Sequence, residues 1–268
     1  MSSMQATRDG RALIDKAFSI LVSFGPQAST GLGVSELARR SELSKSTAFR
    51  VLTMLQRSGV VERAGSAYRL GQRLHELGAA VYCPEHDRIR ETLTPFLADL
   101  YELTHQTVHL ATLHGTDVVY LAKLYGHRRV PSPSRVGARV AAHCTAVGKA
   151  LLAHDQDAFE ALLAAPLTAR TPRSVIEPQQ LAAQLMQVRR DGIAVEIEEA
   201  APGLSCIAVP VFGAGGRAVA ALSVSGRAGG IDPRIQAPAL RRVGHAASVE
   251  SRRARIGATV PLPRGNAS

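Results

Sequence analysis

Residues 34–59 read VSELARRSELSKSTAFRVLTMLQRSG. Ala48, Val51, Leu52 and Leu55 stand at i, i+3, i+4 and i+7, one stripe of a 3.6-residue period, so a helix runs from a cap at Ser44 or Ser46 to about Ser58. Gly59 then supplies the residue type that commonly closes a helix. Upstream, Val34-Ser35-Glu36 opens a shorter helix with Ser35 as its expected N-cap and Leu37 and Ala38 turned inward. Residues 41–44 make the turn between the two. The polar face of the longer helix starts with Lys45, Ser46 and Thr47 and continues through Phe49 and Arg50. Short hydroxyls, a guanidinium fork and free amides at a helix start suit base edges and phosphates. The plainer alternative is an amphipathic helix with a solvated face.

On the N-terminal side, Leu13, Ala17, Ile20, Leu21 and Phe24 keep one helical face over residues 12–24. Gly25-Pro26 stops that helix, and a polar loop leads to Gly33. On the C-terminal side, residues 60–63 and 67–70 read as two strands around a Gly65-Ser66 turn. Helix, helix, turn, helix and hairpin in that order outline a winged helix-turn-helix. Residues 72–82 read as a further helix, with Leu74, Leu77, Val81 and Tyr82 near helical spacing.

Beyond this point the pattern changes. A helix over 89–102 precedes alternating strands over 107–113 and 117–124, joined at His114-Gly115. A loop at 131–133 leads to a strand over 136–142 and short helices over 147–153 and 156–163. A helix over 178–190, closed by Asp191-Gly192, precedes strands over 193–197, 205–212 and 218–225. A basic helix over 234–255 comes last.

The 268 residues are 46% hydrophobic and 20% charged, which excludes wholesale disorder. No apolar run approaches the roughly 18 residues of a membrane span. The N-terminus has no apolar signal core, so a cytoplasmic protein is expected. Cys83, Cys144 and Cys206 form no CxxC pair, which favours reduced thiols over a structural zinc site. The net charge of +10 is segregated. Residues 1–72 hold 10 Lys/Arg against 5 Asp/Glu, residues 73–233 hold 15 against 16, and residues 234–268 hold 7 against 1. Positive charge gathered at both ends suggests a polyanion, most simply nucleic acid. A generally basic solvated surface is the alternative.

The blocks Val34-Ser35-Glu36-Leu37-Ala38 and Ser44-Lys45-Ser46-Thr47-Ala48-Phe49-Arg50-Val51-Leu52 resemble the helix-turn-helix of the IclR family of bacterial transcription regulators. Two later blocks resemble that family's effector-binding domain: HCTAVGKALLA at 143–153, and the stretch from Arg190-Asp191-Gly192 through Glu198-Glu199 and Gly203-Leu204-Ser205-Cys206 to Ser223-Val224-Ser225-Gly226. In family order, the blocks and intervening helices cover about residues 10–255. The resemblance implies an α+β chain. A winged helix-turn-helix (10–72) and a linker helix (73–83) would precede a GAF-like effector-binding domain with a curved antiparallel sheet (84–255), and a disordered tail (256–268) would follow. It implies a repressor-type regulator acting as a homodimer or tetramer. Its partners would be double-stranded operator DNA and a small carboxylate, with no membrane, cofactor, metal or catalytic residues. Mapped onto the match, Ser46, Thr47, Phe49 and Arg50, with Lys45 beside them, contact DNA. Ala146, Val147, Glu196, Leu204, Cys206, Ser223 and Ser225 contact effector.

The residues themselves are compatible with that reading. Ser223 and Ser225 lie two apart on a strand and share a face, and hydroxyls in an apolar run need partners: a ligand carboxylate, or simply backbone. Ala146-Val147-Gly148 opens a helix whose amides can hold an anion. Cys206 also reads as a small buried apolar residue. Glu196 stands where a family member carries Asp, so its extra methylene alters the pocket. His143-Cys144 invites a metal or nucleophile reading but lacks a second ligand pair. Glu198 and Glu199, adjacent on an expected strand, point to opposite faces and make no acid–base pair. An enzyme, or a ligand-free scaffold, carrying a DNA-binding appendage are the competing classes.

Overall fold

A computed structural model describes residues 3–28, 30–79 and 84–257. The chain divides into two compact units, residues 1–82 and 83–268.

The first unit contains α1 (Ser3–Ser23), β1 (Leu32–Gly33), α2 (Val34–Arg40), α3 (Lys45–Arg57), β2 (Val61–Ala64), β3 (Ala67–Leu70) and α4 (Gln72–Ala79). Ile20, Phe24, Leu37, Ala38, Ala48, Val51, Leu52, Val61 and Tyr68 form its core. The expected stripe of α3 thus faces inward, with Leu55 packed at its margin. Ser44 caps α3, its Oγ accepting from the Thr47 amide at 3.2 Å. At the other end the Val60 amide reaches Leu55 O and the Gly59 amide reaches Gln56 O, a Schellman closure with Gly59 at φ +73°. That closure turns the chain directly into the hairpin.

Four expectations are corrected in this unit. Ser35 does not cap α2: the helix starts at Val34 with Gly33 as its N-cap residue, so Ser35 sits inside the first turn. Residues 32–33 are not merely loop. They pair with Ala67 and Tyr68 as a third, edge strand, too short to carry a period-two signal. α1 begins at Ser3 rather than 12, through polar sequence that no apolar period marks. Leu13 is exposed, so the inward face starts only at Ala17. Of the expected linker helix, α4 extends to Ala79; Val81 and Tyr82 lie outside the described residues, as does Cys83.

The second unit is a six-stranded antiparallel sheet ordered β6-β5-β4-β9-β8-β7. The strands are β4 (Thr107–His114), β5 (Asp117–Leu124), β6 (Arg139–Ala141), β7 (Ala194–Ile197), β8 (Leu204–Phe212) and β9 (Ala218–Arg227). α5 (Pro84–Thr104) and α9 (Pro233–Arg253) cover one face, meeting Val108, Leu110, Ile207, Val209, Leu222 and Val224. α6 (Ala146–Leu152), α7 (Gln156–Leu163) and α8 (Pro178–Asp191) lie on the other, with Ala111, Ala208 and Ala221. The alternation of strand side chains therefore divides the sheet residues between two cores. Bulges between Leu110 and Ala111 and between Val211 and Phe212 break the ladders locally. Gly148 lets the start of α6 fold back against the turn that precedes it: a Cβ there would stand 2.1 Å from Ala142 O.

The strand expected over 136–142 shrinks to β6, because residues 142–144 turn into a 3-10 helix that leads into α6. Glu198 and Glu199 are not strand residues: β7 ends at Ile197, Glu198 takes φ +59°, and the chain turns away. The disordered tail expected from 256 is corrected at its start, because Ile256 is buried in the core beneath α5 and α9 and its carbonyl accepts from the Ala214 amide; residues from 258 onward lie outside the described residues.

Candidate functional site

Two sites follow from this scaffold, one on each unit. On α3, Lys45, Ser46, Phe49 and Arg50 are exposed and Thr47 is half-buried. Ser46 Oγ lies 3.1 Å from Ser44 Oγ, and the Ser44 hydroxyl donates to Thr47 Oγ1 at 2.8 Å, so the helix start is a small hydroxyl cluster. Phe49 leaves half of its surface in solvent, opposite the Ala48/Val51/Leu52 core stripe. Neither Lys45 nor Arg50 enters an ion pair among the described residues. By contrast Glu36 is engaged by Arg39 and Arg40, which hold its carboxyl down to about 2.

In the second unit the ladder lines up two rows on the α6 side of the sheet. Glu196, Cys206, Ser225 and Thr107 stand opposite one another across β7, β8, β9 and β4. Ala208, Ser223, His109 and Lys123 do so across β8, β9, β4 and β5. Above the rows lies the start of α6, where Thr145 Oγ1 caps the Gly148 amide at 3.0 Å. The amides of Ala146 and Val147 precede the first bond of the helix and point out of its end.

All seven expected effector positions, Ala146, Val147, Glu196, Leu204, Cys206, Ser223 and Ser225, line one cavity. Sequence reasoning missed the rest of the wall: His109, Tyr120, Thr145 and Ala200, with Ser132, Pro133 and Ser134 from the loop between β5 and β6. Thr145 carried a signal, a threonine three residues before a helical glycine. His109 carried none, since its partner Ser223 is 114 residues away. The cavity is closed down to about 10 Å³, room for about one water molecule.

The electrostatics are those of a buried polar chamber. His109 Nδ1 lies 3.2 Å from Ser223 Oγ and its Nε2 lies 2.8 Å from Ser134 Oγ. Burial, reinforced by Lys123, holds the imidazole down to about 3, so it is neutral at physiological pH. Glu196 Oε1 accepts from the Glu199 and Ala200 amides at 2.6 and 3.0 Å. Among the described residues its buried Oε2 has no nitrogen or oxygen partner, and the Cys206 thiol is the carboxyl's neighbour. Burial raises the Glu196 carboxyl above its ordinary range against the pull of those amides. Burial likewise pushes the Cys206 thiol well above its usual value and keeps the Tyr120 phenol protonated. Behind the wall, Lys149 on α6 meets Glu199 at 2.5 Å, both buried, pinning α6 to the turn after β7. Ser225 Oγ has a long backbone contact to Thr107 O at 3.4 Å. Cys144 and His143 stand apart from this chamber, His143 Nε2 lying 3.2 Å from Thr168 O. Among the described residues no three His, Cys, Asp or Glu side chains gather to hold a metal, and no helix is long and apolar enough to cross a membrane.

Comparison with known proteins places both units. Residues 13–65 match the IclR helix-turn-helix domain, and residues 83–249 match the domain described as bacterial transcriptional regulator IclR C-terminal. The HTH-type transcriptional regulator XynR of Escherichia coli K12 is 35% identical over 216 residues, covering 79% of this chain and 84% of the relative. The Pca regulon regulatory protein of Pseudomonas putida is 34% identical over 201 residues, covering 74% of this chain and 68% of the relative. Among solved structures, the Thermotoga maritima IclR superposes with a TM-score of 0.69 at 31% identity, covering 88% of this chain and 97% of that one. An IclR homologue from Microbacterium hydrocarbonoxydans, solved in complex with 4-hydroxybenzoate, gives 0.71 at 26% identity, covering 89% and 98%.

Proposed function

The chain belongs to the IclR family of bacterial transcriptional regulators, and on that premise we propose that it is a cytoplasmic, repressor-type regulator whose operator affinity is set by a small organic acid bound in the second unit. In this reading residues 10–72 bind DNA, 73–83 link and 84–257 form the effector domain, Ile256 closing its core. Lys45, Ser46, Thr47, Phe49 and Arg50 reach bases and phosphates. Ala146, Val147, Glu196, Leu204, Cys206, Ser223 and Ser225 receive the acid. The relatives are named as regulators, and a regulator rather than an enzyme is the class they support.

The observation that carries the proposal is the convergence of those seven positions, drawn from α6, β7, β8 and β9, on one chamber. Its hydroxyls and helix-start amides are suited to carboxylate oxygens. That a solved relative holds 4-hydroxybenzoate supports an acid of similar size. The protein acts as a dimer or higher oligomer. One winged helix reads too short a site for specificity, and Ile14, Phe18 and Val22 leave an exposed apolar stripe along α1 that a second copy would cover. Ligand shifts the balance between arrangements of the reading helices, and operator affinity follows.

The small size of the cavity favours a second reading, a pocket filled by its own side chains that never takes ligand. Gel-shift titration of the full chain on its own promoter DNA, with and without a panel of short aliphatic and aromatic acids, separates the two. A regulator responds to one acid class at micromolar to millimolar concentration. Unchanged retardation with every acid, together with unchanged thermal melting, selects the scaffold.

A further inference from the structure

Lys123 is a half-buried cation without an anionic partner among the described residues. It stands opposite His109 in the ladder, and His109 stands opposite Ser223, so the three side chains leave the sheet on the cavity side. Its ammonium donates to Ser132 Oγ at 3.0 Å, Ser134 Oγ at 3.0 Å and Ser134 O at 2.8 Å. All three acceptors are neutral, and no ion pair among the described residues includes Lys123. Burial lowers its pKa, and the neighbouring charges of Arg135 and Arg129 press in the same direction. The Tyr125 ring, its centroid 4.7 Å from the ammonium, completes the set, so the cation is held by neutral groups and an aromatic face and keeps its charge free to attract an anion.

The cavity has the complementary need. No lysine or arginine is among its lining residues, so its hydroxyls and helix-start amides can hold a carboxylate but supply no formal positive charge to favour the acid over its neutral analogue. Lys123 lies one hydroxyl behind the wall. The hydroxyls in between belong to Ser132 and Ser134, which also touch each other at 2.7 Å. Their segment is one of three wall stretches outside helix and strand; the others are Thr145, which caps α6, and Ala200, which is tied down by Glu196. The Ser132–Ser134 segment is held to the wall by Lys123 and by His109 Nε2, 2.8 Å from Ser134 Oγ, contacts that a carboxylate can exchange, so room for a ligand comes from that side.

We propose that Lys123 is the specificity-determining residue that selects an acid over its neutral analogues, with Ser132 and Ser134 holding its place until the ligand arrives. The carboxylate takes the ammonium over from the serine oxygens, and the withdrawing segment opens the space that the closed chamber lacks. This rests on the effector-binding reading above and assigns the source of its charge selectivity.

The test is calorimetry of the full chain with propionate, lactate and benzoate, each beside its primary amide. Wild type is expected to bind at least one acid about tenfold or more tighter than the matching amide. Lys123→Met removes that ratio while leaving amide binding within about twofold, and Lys123→Arg retains it. Lys123→Gln replaces the methionine variant if that one does not fold. The double variant Ser132→Ala/Ser134→Ala, freed of the placeholder contacts, binds acid several-fold more tightly. An undiminished acid-to-amide ratio in Lys123→Met overturns the inference while leaving the effector reading intact. Weaker acid binding in the double serine variant overturns the placeholder role, since the serines are then ligands themselves. If no acid binds wild type, the effector reading falls and this inference falls with it.

Discussion

The proposed reading helix and the proposed effector chamber place their candidate residues in opposite ways. On α3 the working residues are neighbours in sequence, sit on the solvent side of one helix, and need only that helix's inner face to be packed. In the chamber the working residues come from β4, β5, β7, β8, β9, α6 and a loop, and nearly all are buried. The charges follow suit. Glu36 and Glu62 of the first unit are shifted on the surface by arginine partners, whereas His109, Glu196 and Cys206 are shifted chiefly by burial. A surface site survives loss of one contact with its fold intact; a buried one answers to every wall that shapes it.

The largest expected effect is on the buried side. Ser223→Ala together with Ser225→Ala removes hydrogen bonds to a bound carboxylate, each worth roughly 1.5–3 kcal/mol, and should weaken effector binding by about a hundredfold or more. Calorimetry beside thermal melting checks it; equal affinity in a folded double mutant places the acid elsewhere. Next comes Arg50→Ala, which should cost about 1–3 kcal/mol of operator affinity at fixed salt and leave effector binding unchanged. Loss of both activities at once would erase the contrast between the two sites.

A smaller effect distinguishes them by pH. The folded value of His109 lies below its ordinary 6.5, at about 3. Its contribution is therefore present above 6.5 and lost as pH falls from there toward 3, at about 1.4 kcal/mol per pH unit. Between pH 7 and 5.5, urea unfolding of the second unit should lose about 1 kcal/mol to this group, and His109→Gln should flatten that slope. A slope that survives in the variant assigns the acid sensitivity to another group. The smallest effect is at the helix start: Ser44→Ala removes the cap of α3 at a cost of about 1 kcal/mol. Chemical denaturation should register that loss in the first unit and none in the second.

The same contrast explains what the sequence made legible. Period 3.6 located α3 and its inner stripe, and period two put Ser223 and Ser225 on one face, because both are local patterns. Ser35 misled because a serine before an apolar pair fits a cap or a first turn equally well. Glu198 misled because a strand-like run ended one residue earlier in a left-handed turn. His109 and Tyr120 were silent: on β4 and β5 they look like any alternating residue, and only the pairing with β9 brings them to Ser223. Ser132 and Ser134 lie in a proline-rich stretch with no period, and only tertiary contacts place them against Lys123.

β9 has two audiences. Ser223 and Ser225 face the chamber, while Leu222 and Val224, the residues before each, press on the packing shared with Ile89 and Leu93 of α5. α5 is the first described element on the effector side of residues 80–83, where the chain arrives from the unit that carries the reading helix. The strand that feels a guest is thus a single thickness from the helix at the chain's point of entry. News of occupancy has one layer of backbone to cross before it reaches the tether to the DNA.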